Sequence, residues 1–408
     1  MKKLMKITAM IMVLTLCLIM ISACGNQGQQ NQGGTEAVEP IRIGVLIEQS
    51  GAFEEWGRTE QGGIEIGFDW VTNGTMEIDG RPIELIIRDT ASEVNTAVQR
   101  ATQLIEADNV DILTGSTMSA IALAVSQLAS SHNVPYVIGC AAVNSLTGSE
   151  WTPYTFQTGR VVRQVTTAIG AFTPQIGTRF AILGPDTAAG HEFAGAFATD
   201  IEANGGEIVY WEHAPQEVSD FTPFLFAIRD SGADALVVIP VGHSYTVTLP
   251  QQLHEMGLLE TLGFLTDFAG IPFYQGVGDA GIGMVGTVLY WPTLFDSPMN
   301  DFLVQEYERR YNDTPDLWAG NGFTAAIAIV EALRLAQSTD SEDIVNALRG
   351  LSFTGIRGEG YYIRPEDHRT LQPMTVTELR DMGRGFPEPV LLEMISPEDS
   401  APPIENNR

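Results

Sequence analysis

The chain has 408 residues, a formal net charge of −29 and 44% hydrophobic residues. That is apolar content enough for sizeable packed cores, while so negative a surface repels nucleic acid and anionic lipid. Three cysteines are too few for a disulfide framework and lack the spacing of a cysteine metal site.

Lys2, Lys3 and Lys6 make a basic start, an apolar run follows from Ile7 to Ile21, and Ile21-Ser22-Ala23-Cys24-Gly25 closes the segment. This is the layout of a signal peptide, and the run is too short to be a comfortable membrane span. Small residues directly before a cysteine resemble the lipoprotein box of bacterial type II signal peptides. The resemblance implies cleavage after Ala23, a diacylglycerol on Cys24 and a chain held at the cell membrane from outside; a plain signal peptide or a short anchor is the alternative. Residues 24–39 are rich in Gly and Gln, cannot form a core, and read as a flexible tether. Every lysine falls before residue 7, so the remainder relies on arginine, which keeps its charge at alkaline pH. Adaptation to a saline or alkaline exterior and compositional drift both fit this pattern.

From Ile41 the chain alternates short β-rich runs with helical patterns. Ile41–Ile47, Ile83–Arg88, Val110–Thr114 and Val134–Ile138 read as strands. Glu55–Val71, the face Val94, Ala97, Val98, Ala101, Leu104 and Ile105, and Ala120–Ser130 read as helices. A βαβαβαβ order implies a parallel sheet covered by helices on both sides. A second run follows, with strands at Arg179–Leu183, Glu207–Trp211, Ala235–Ile239, Gly263–Thr266 and Val285–Tyr290 and helices at His191–Ala203, Phe221–Arg229 and Tyr245–Met256. Helices are then expected over Asn300–Arg310, Gly322–Gln337 and Ser341–Arg349, strands over Tyr361–Ile363 and Met374–Leu379, and a loose Pro-rich tail over 396–408. The class is α/β, with two doubly wound parallel sheets in series. Ligands of such sheets bind beyond the carboxyl ends of the strands, so two facing sheets make a cleft that a hinge can close.

Several short motifs, in order, carry a family resemblance. They are Ile43-Gly44-Val45-Leu46 with Ser50-Gly51 and Trp56-Gly57, Gly80-Arg81-Pro82-Ile83 with Arg88-Asp89, and Thr114-Gly115-Ser116-Thr117-Met118-Ser119. Val134-Pro135-Tyr136 before Cys140-Ala141-Ala142, Phe156-Gln157-Thr158, Gly232-Ala233-Asp234-Ala235, Arg364-Pro365-Glu366-Asp367-His368 and Leu371-Gln372-Pro373 complete the set. Together they resemble the extracellular solute-binding proteins of ABC transporters, of the branched-chain amino acid and amide type. The resemblance implies a type I periplasmic binding fold, a two-lobed clamp joined by a multi-strand hinge. One lobe is expected over 40–159 and 291–371, the other over 160–290 and 372–395. It also implies a monomer that hands a small ligand, an amino acid or related carboxylate, to an ABC permease and its ATPase.

The residues support a site of that kind. Ser119 opens a helix, whose unpaired N–H groups and positive dipole end suit a carboxylate; a plain N-cap is the other reading of Ser119. In the family, the Ser at this point and the backbone of the small-residue loop hold an amino acid's carboxylate and amine, which carries over to Ser119, Ala141, Ala142 and Val143. Phe53, Trp56, Tyr290 and Trp291 are candidates for an apolar wall, Trp56 and Tyr290 foremost, although aromatics are more often core. Asp267 sits where an acidic residue of the family meets the ligand's ammonium, with Asp186 as a rival. His243 is kept in the loop Val241-Gly242-His243-Ser244, but the family's frequent tyrosines are replaced there by Gly242 and, earlier, by Ala189. Arg160, at the crossing between lobes, is a hinge ion-pair partner, a surface residue, or a second anion contact favouring an aromatic or dicarboxylic acid.

No reaction motif argues for an enzyme. Gly281-Ile282-Gly283-Met284-Val285-Gly286 matches a dinucleotide fingerprint in letters, but strand-like residues follow it where a helix is required. G-x-S-x-G, H-E-x-x-H and P-loop patterns are missing, and the six histidines are scattered. No cofactor or metal is expected. A sensor that presents its ligand to a membrane receptor would use the same clamp.

Overall fold

The computed structural model describes residues 39–240, 244–268 and 270–406. Cys24 and the signal and tether segments lie outside the described residues, as does His243.

Strand β1 (Ile41–Ile47) leads into helix α1 (Glu54–Val71). The short β2 (Glu77–Ile78) and β3 (Arg81–Asp89) precede α2 (Val94–Glu106), β4 (Ile112–Gly115), α3 (Ser119–Ser131), β5 (Tyr136–Ile138) and β6 (Thr155–Gln157). These strands form a six-stranded sheet in the order β2-β3-β1-β4-β5-β6, parallel apart from β2. Parallel strands buried on both faces demand continuous apolar runs, and Ile43, Val45, Leu46 and Ile47 are all fully buried.

The chain then crosses to a second sheet. α4 (Val162–Phe172) is followed by β7 (Arg179–Pro185), α5 (Ala188–Ala203), β8 (Glu207–Ala214), α6 (Thr222–Asp230) and β9 (Ala235–Val238). Next come α7 (Leu249–Glu255), β10 (Gly263–Asp267), α8 (Ile271–Val277) and β11 (Val285–Thr287). Asn204 ends α5, and the left-handed backbone after it falls on Gly205, at φ 86°. Ahead of α7 a π-helical turn spans Ser244–Thr248, so the single helix expected over Tyr245–Met256 is two. The Gly-rich segment before β11 is followed by that strand, with no helix N-terminus to face a pyrophosphate.

A return crossing leads to α9 (Pro298–Tyr311), α10 (Leu317–Ala336) and α11 (Ser341–Leu348), and then to the antiparallel β12 (Ser352–Gly355), β13 (Gly358–Ile363) and β14 (Thr370–Leu371). α10 is apolar almost all round and buried, as a central helix must be. It lies against α1 so closely that a Cβ on Gly63 would stand 2.0 Å from the Ala319 carbonyl oxygen. A last crossing delivers β15 (Met374–Asp381) and β16 (Pro387–Ile395), which complete the second sheet as β16-β15-β11-β10-β9-β7-β8. β16 escaped the sequence pattern because prolines at 387 and 389 argue against a strand interior; on a sheet edge they are tolerated.

The crossings are tied by a backbone bridge and by buried polar side chains. Gln157 pairs with Arg369 in an isolated bridge, Gln164 donates to the Thr370 carbonyl at 3.1 Å, and Arg357 donates to the Leu289 carbonyl at 2.9 Å and to the Gln372 side chain. The tail expected to be loose is packed here instead. Ser400 is fully buried, Arg364 donates to the Pro402 carbonyl at 2.9 Å, and Asn406 donates to the Glu366 carbonyl at 2.6 Å. Ser400 and Asn406 supply donors to the carbonyls of Gln372 and Glu366, which holds even a Pro-rich segment in place.

Candidate ligand-binding site

The carboxyl ends of β1, β4 and β5 meet at one point of the first sheet. Glu48 follows β1 and is fully buried; its carboxylate accepts the Ser116 hydroxyl at 2.7 Å, the Thr117 N–H at 3.1 Å and the Thr117 hydroxyl at 3.0 Å. The turn it holds needs a left-handed residue, supplied by Gly115 at φ 97°, where a Cβ would lie 2.3 Å from the Leu46 carbonyl oxygen. This turn aims the N-terminus of α3 outward. Met118 is the N-cap residue and Ser119 the first helical one, exposed, with no hydrogen bond to its hydroxyl among the described residues. The plain-cap reading of Ser119 is therefore set aside: the hydroxyl is free for another partner.

Two adjoining cavities open beside this helix end. One, of about 370 Å³, is walled by Phe53, Thr117, Ser119, Cys140 and Ala142; the other, of about 230 Å³, by Asp267, Phe268, Phe273, Asp316 and Leu317. Trp56, Arg160 and Trp318 line both. A larger hollow of about 570 Å³ is walled by the Gly51–Ala52 loop after β1, by the start of α1 and by Tyr307, Tyr311 and Asp313, and shares Glu55 with the smaller cavity, but it does not reach the N-terminus of α3. The cleft position fits the rule for open α/β sheets, so the two adjoining cavities are the candidate site.

Trp56 stacks on Trp318 with ring centres 4.9 Å apart and planes 19° apart, and remains 39% exposed, which makes it a wall of both cavities. Tyr290, expected beside it, does not line them. Its ring is fully buried against Gly320 and its hydroxyl donates to Asn300 at 2.8 Å, so it is part of the core of the first lobe. Trp291 is likewise buried, against Tyr274. Of the small-residue loop, Ala142 reaches the larger cavity. Ala141 is buried with its carbonyl accepting the Gln157 amide at 2.7 Å, and Val143 leads into a short 3₁₀ turn; neither lines a cavity.

Asp267, at the end of β10, is not an open seat for an ammonium. One carboxylate oxygen accepts Arg160 Nη2 at 2.5 Å, and the other accepts the Thr287 hydroxyl at 2.6 Å. Asp186 is exposed and paired with His191 at 2.8 Å, away from both cavities. Arg160 is thus an ion-pair partner at the crossing, and it also lines both cavities. Its Nε is buried and has no hydrogen-bond partner.

Three acids of this region escaped the sequence reading. Asp316 caps α10, accepting the Trp318 N–H at 2.9 Å; burial, with the charges of Glu55 and Asp313 adding to it, pushes its carboxyl up to about 7. Burial also holds Glu60 well above the carboxylate range, with the Glu48 charge adding to the effect. The same burial raises the thiol of Cys140, which lies beside Glu60 and points at the Trp318 carbonyl, 3.5 Å away. An Asp immediately before an apolar helical run is a start signal, and Asp316-Leu317-Trp318 carries it; Glu48 has no such signal, because only the fold brings Ser116 and Thr117 to it.

The periplasmic binding protein family profile matches residues 40–384, and the chain belongs to that family. It is a solute-binding protein of the kind that serves ABC transporters, built on the type I periplasmic binding fold. Among solved structures, an ABC-type branched-chain amino acid transporter protein from Rhodopseudomonas palustris is 27% identical with a TM-score of 0.84, covering 90% of this chain and 100% of that one. An ABC transporter substrate-binding protein from Sphaerobacter thermophilus is 28% identical with a TM-score of 0.80, covering 88% and 98%. The Leu/Ile/Val-binding protein homolog 6 of Brucella suis is 25% identical over 356 residues, 83% of this chain and 87% of that protein. Family membership places the binding function outside the cytoplasm, and among the described residues no helix is long and apolar enough to cross a membrane.

Proposed function

We propose that this chain is an extracytoplasmic lipoprotein, anchored through Cys24, that captures a small carboxylate ligand, an amino acid or a related acid, and hands it to an ABC permease and its ATPase. The observation that carries the ligand class is the free N-terminus of α3: Ser119 faces a cavity whose only charged wall among the described residues is Arg160. Helix N–H groups, a hydroxyl and a guanidinium together make a seat for an anion, and the Trp56–Trp318 pair supplies an apolar flank. The Leu/Ile/Val-binding name of its curated relatives agrees with an amino acid or a close analogue.

In this reading the lobes are 40–159 with 291–371, and 160–290 with 372–395. They close about the tied crossings, which lets the second lobe complete the site and excludes water. The protein works as a monomer and needs no cofactor. A single acyl chain anchors only marginally, so a diacyl group on Cys24 is the physically adequate device. The test is native mass spectrometry of the purified protein for a co-purified small acid, followed by calorimetry with it and small-angle scattering. Tight binding with a smaller radius in the bound state is expected; a ligand without an acidic group would overturn the reading.

A further inference from the structure

Resting on the carboxylate reading above, a difference in charge between the two adjoining cavities narrows the ligand. The larger one, at the α3 end, has Arg160 as its charged wall among the described residues. The smaller one is lined by three carboxylates, Glu55, Asp267 and Asp316, against the same single arginine. Arg160 is committed to Asp267, and the Thr287 hydroxyl donates to the other Asp267 oxygen. That leaves Glu55 and Asp316 with no cation of their own in the lining. Burial, with the charges of Glu55 and Asp313 adding to it, pushes the Asp316 carboxyl up to about 7, a penalty that a cation brought by the ligand would offset. An anion seat and a cation seat thus stand side by side, with Trp56, Arg160 and Trp318 common to both.

The acceptors decide what kind of cation fits. A primary ammonium carries three N–H donors, and each needs an acceptor in a site that excludes water. The oxygens here are mostly engaged within the protein: those of Asp267 by Arg160 and Thr287, and Asp316 by the backbone N–H groups of Trp318 and Ala319, while Glu55 stands exposed at the rim. The rest of the wall is aromatic and apolar. The Trp56–Trp318 stack, Phe268 and Phe273, the last two stacked with centres 5.5 Å apart, line the same space of about 230 Å³ together with Pro240 and Pro272. An ammonium whose hydrogens are replaced by alkyl groups has no donor to satisfy. It needs negative surroundings and aromatic rings within about 6 Å, and this lining provides both kinds of group.

We propose that the cleft takes a zwitterion whose cationic end is a trialkylammonium group set apart from its carboxylate, and that Asp316 and Trp56 are the residues that select it. The carboxylate lies at the α3 end with Ser119 and Arg160. The alkylated nitrogen lies in the smaller cavity, against the tryptophan pair and beside the Asp316 carboxyl, and its binding draws Asp316 into the ionised form.

Calorimetry on the purified protein with matched ligands at two spacings isolates the alkylated nitrogen. Trimethylglycine is compared with its uncharged isostere 3,3-dimethylbutanoate and with glycine, and 4-(trimethylammonio)butanoate with 5,5-dimethylhexanoate and 4-aminobutanoate. At one spacing or both, the trimethylammonium acid is expected to bind about tenfold tighter, or more, than either counterpart. An isostere or a primary amine that binds as tightly, or no binding by either trimethylammonium acid, overturns this inference and leaves the carboxylate reading to its own test. Choline bound as tightly as the better zwitterion supports the cation seat and overturns the carboxylate reading. Asp316→Asn keeps a capping side chain on α10. It is expected to weaken the trimethylammonium acid about fivefold or more and its isostere less than about twofold. Trp56→Leu keeps the wall apolar, and the two ligands are expected to separate in the same way. An equal loss for both ligands in a variant shown to be folded by circular dichroism overturns the role of the residue changed.

Discussion

The Glu48 carboxylate accepts both the backbone N–H and the hydroxyl of Thr117, at 3.1 and 3.0 Å, and so fastens the end of the first strand to the entrance of the cavity-facing helix. Four donors converge on this one buried acid once the hydroxyls of Ser116, at 2.7 Å, and Thr90, at 3.3 Å, are included. Glu48→Ala strands all four and is expected to destabilise the protein by about 3 kcal/mol, since each buried unsatisfied group costs roughly 1–3 kcal/mol with partial relief by water. Urea denaturation measures it; a loss below about 0.5 kcal/mol would show that the turn holds without the acid.

Ser119 should behave in the opposite way. Its hydroxyl is exposed and makes no internal hydrogen bond among the described residues, so Ser119→Ala is expected to change stability by less than about 0.5 kcal/mol. Loss of a hydrogen bond to a charged ligand group is expected to cost about 1.5–3 kcal/mol of affinity, ten- to a hundred-fold. Calorimetry with the native ligand tests this, and unchanged affinity would remove the carboxylate seat.

Asp316 predicts a pH dependence with a definite sign. Its carboxyl is pushed up to about 7 from an ordinary 3.8, so between those values the folded state holds a proton that the unfolded state releases. Stability from this group is therefore full below about pH 4 and is lost as pH rises towards 7, the reverse of a salt-bridged acid. Asp316→Asn should flatten that part of the melting-temperature profile. An unaltered slope in the variant would mean that other groups produce it.

Cys140 is buried to 5% exposure, and its thiol is raised well above its ordinary range by burial and by the nearby Glu60. Thiol reagents react with the thiolate, so modification is expected to be slow at neutral pH and to accelerate in alkali. Because Cys140 lines the larger cavity, a saturating ligand should slow it further. Equal rates with and without ligand would argue that the ligand does not cover this wall.

Cys24 and the packed segment 396–406 each give an outcome of their own. Cys24→Ala is expected to release the protein to the medium or leave it unprocessed, and a membrane-bound, processed variant would contradict the lipid anchor. Ending the chain at Ile395 removes the tail's contacts to Arg364 and Gln372, and is expected to lower stability by about 1–3 kcal/mol in urea denaturation, a few net hydrogen bonds' worth.

The two sheets, the order of their strands along the chain and the cleft at their carboxyl ends were legible in the sequence. Apolar runs and helical faces are local signals, and parallel connection leaves few ways to assemble them. That Trp56, Ser119 and Ala142 lie beside a cavity was legible too, because each sits at a strand end or a helix start whose position follows from that order. Tyr290 was not: a tyrosine at a crossing can turn either way, and only the approach of Gly320 and Asn300 turns it into the core. Asp267 and Arg160 are 107 residues apart, and nothing local distinguishes an acid waiting for an ammonium from one already held by a guanidinium. The sequence by itself determined which secondary elements form and that their ends face a common cleft, since periodicity and turn chemistry act over a few residues. Which side chains are free to meet a ligand was decided only by tertiary structure, because burial and ion pairing are set by partners brought from across the chain.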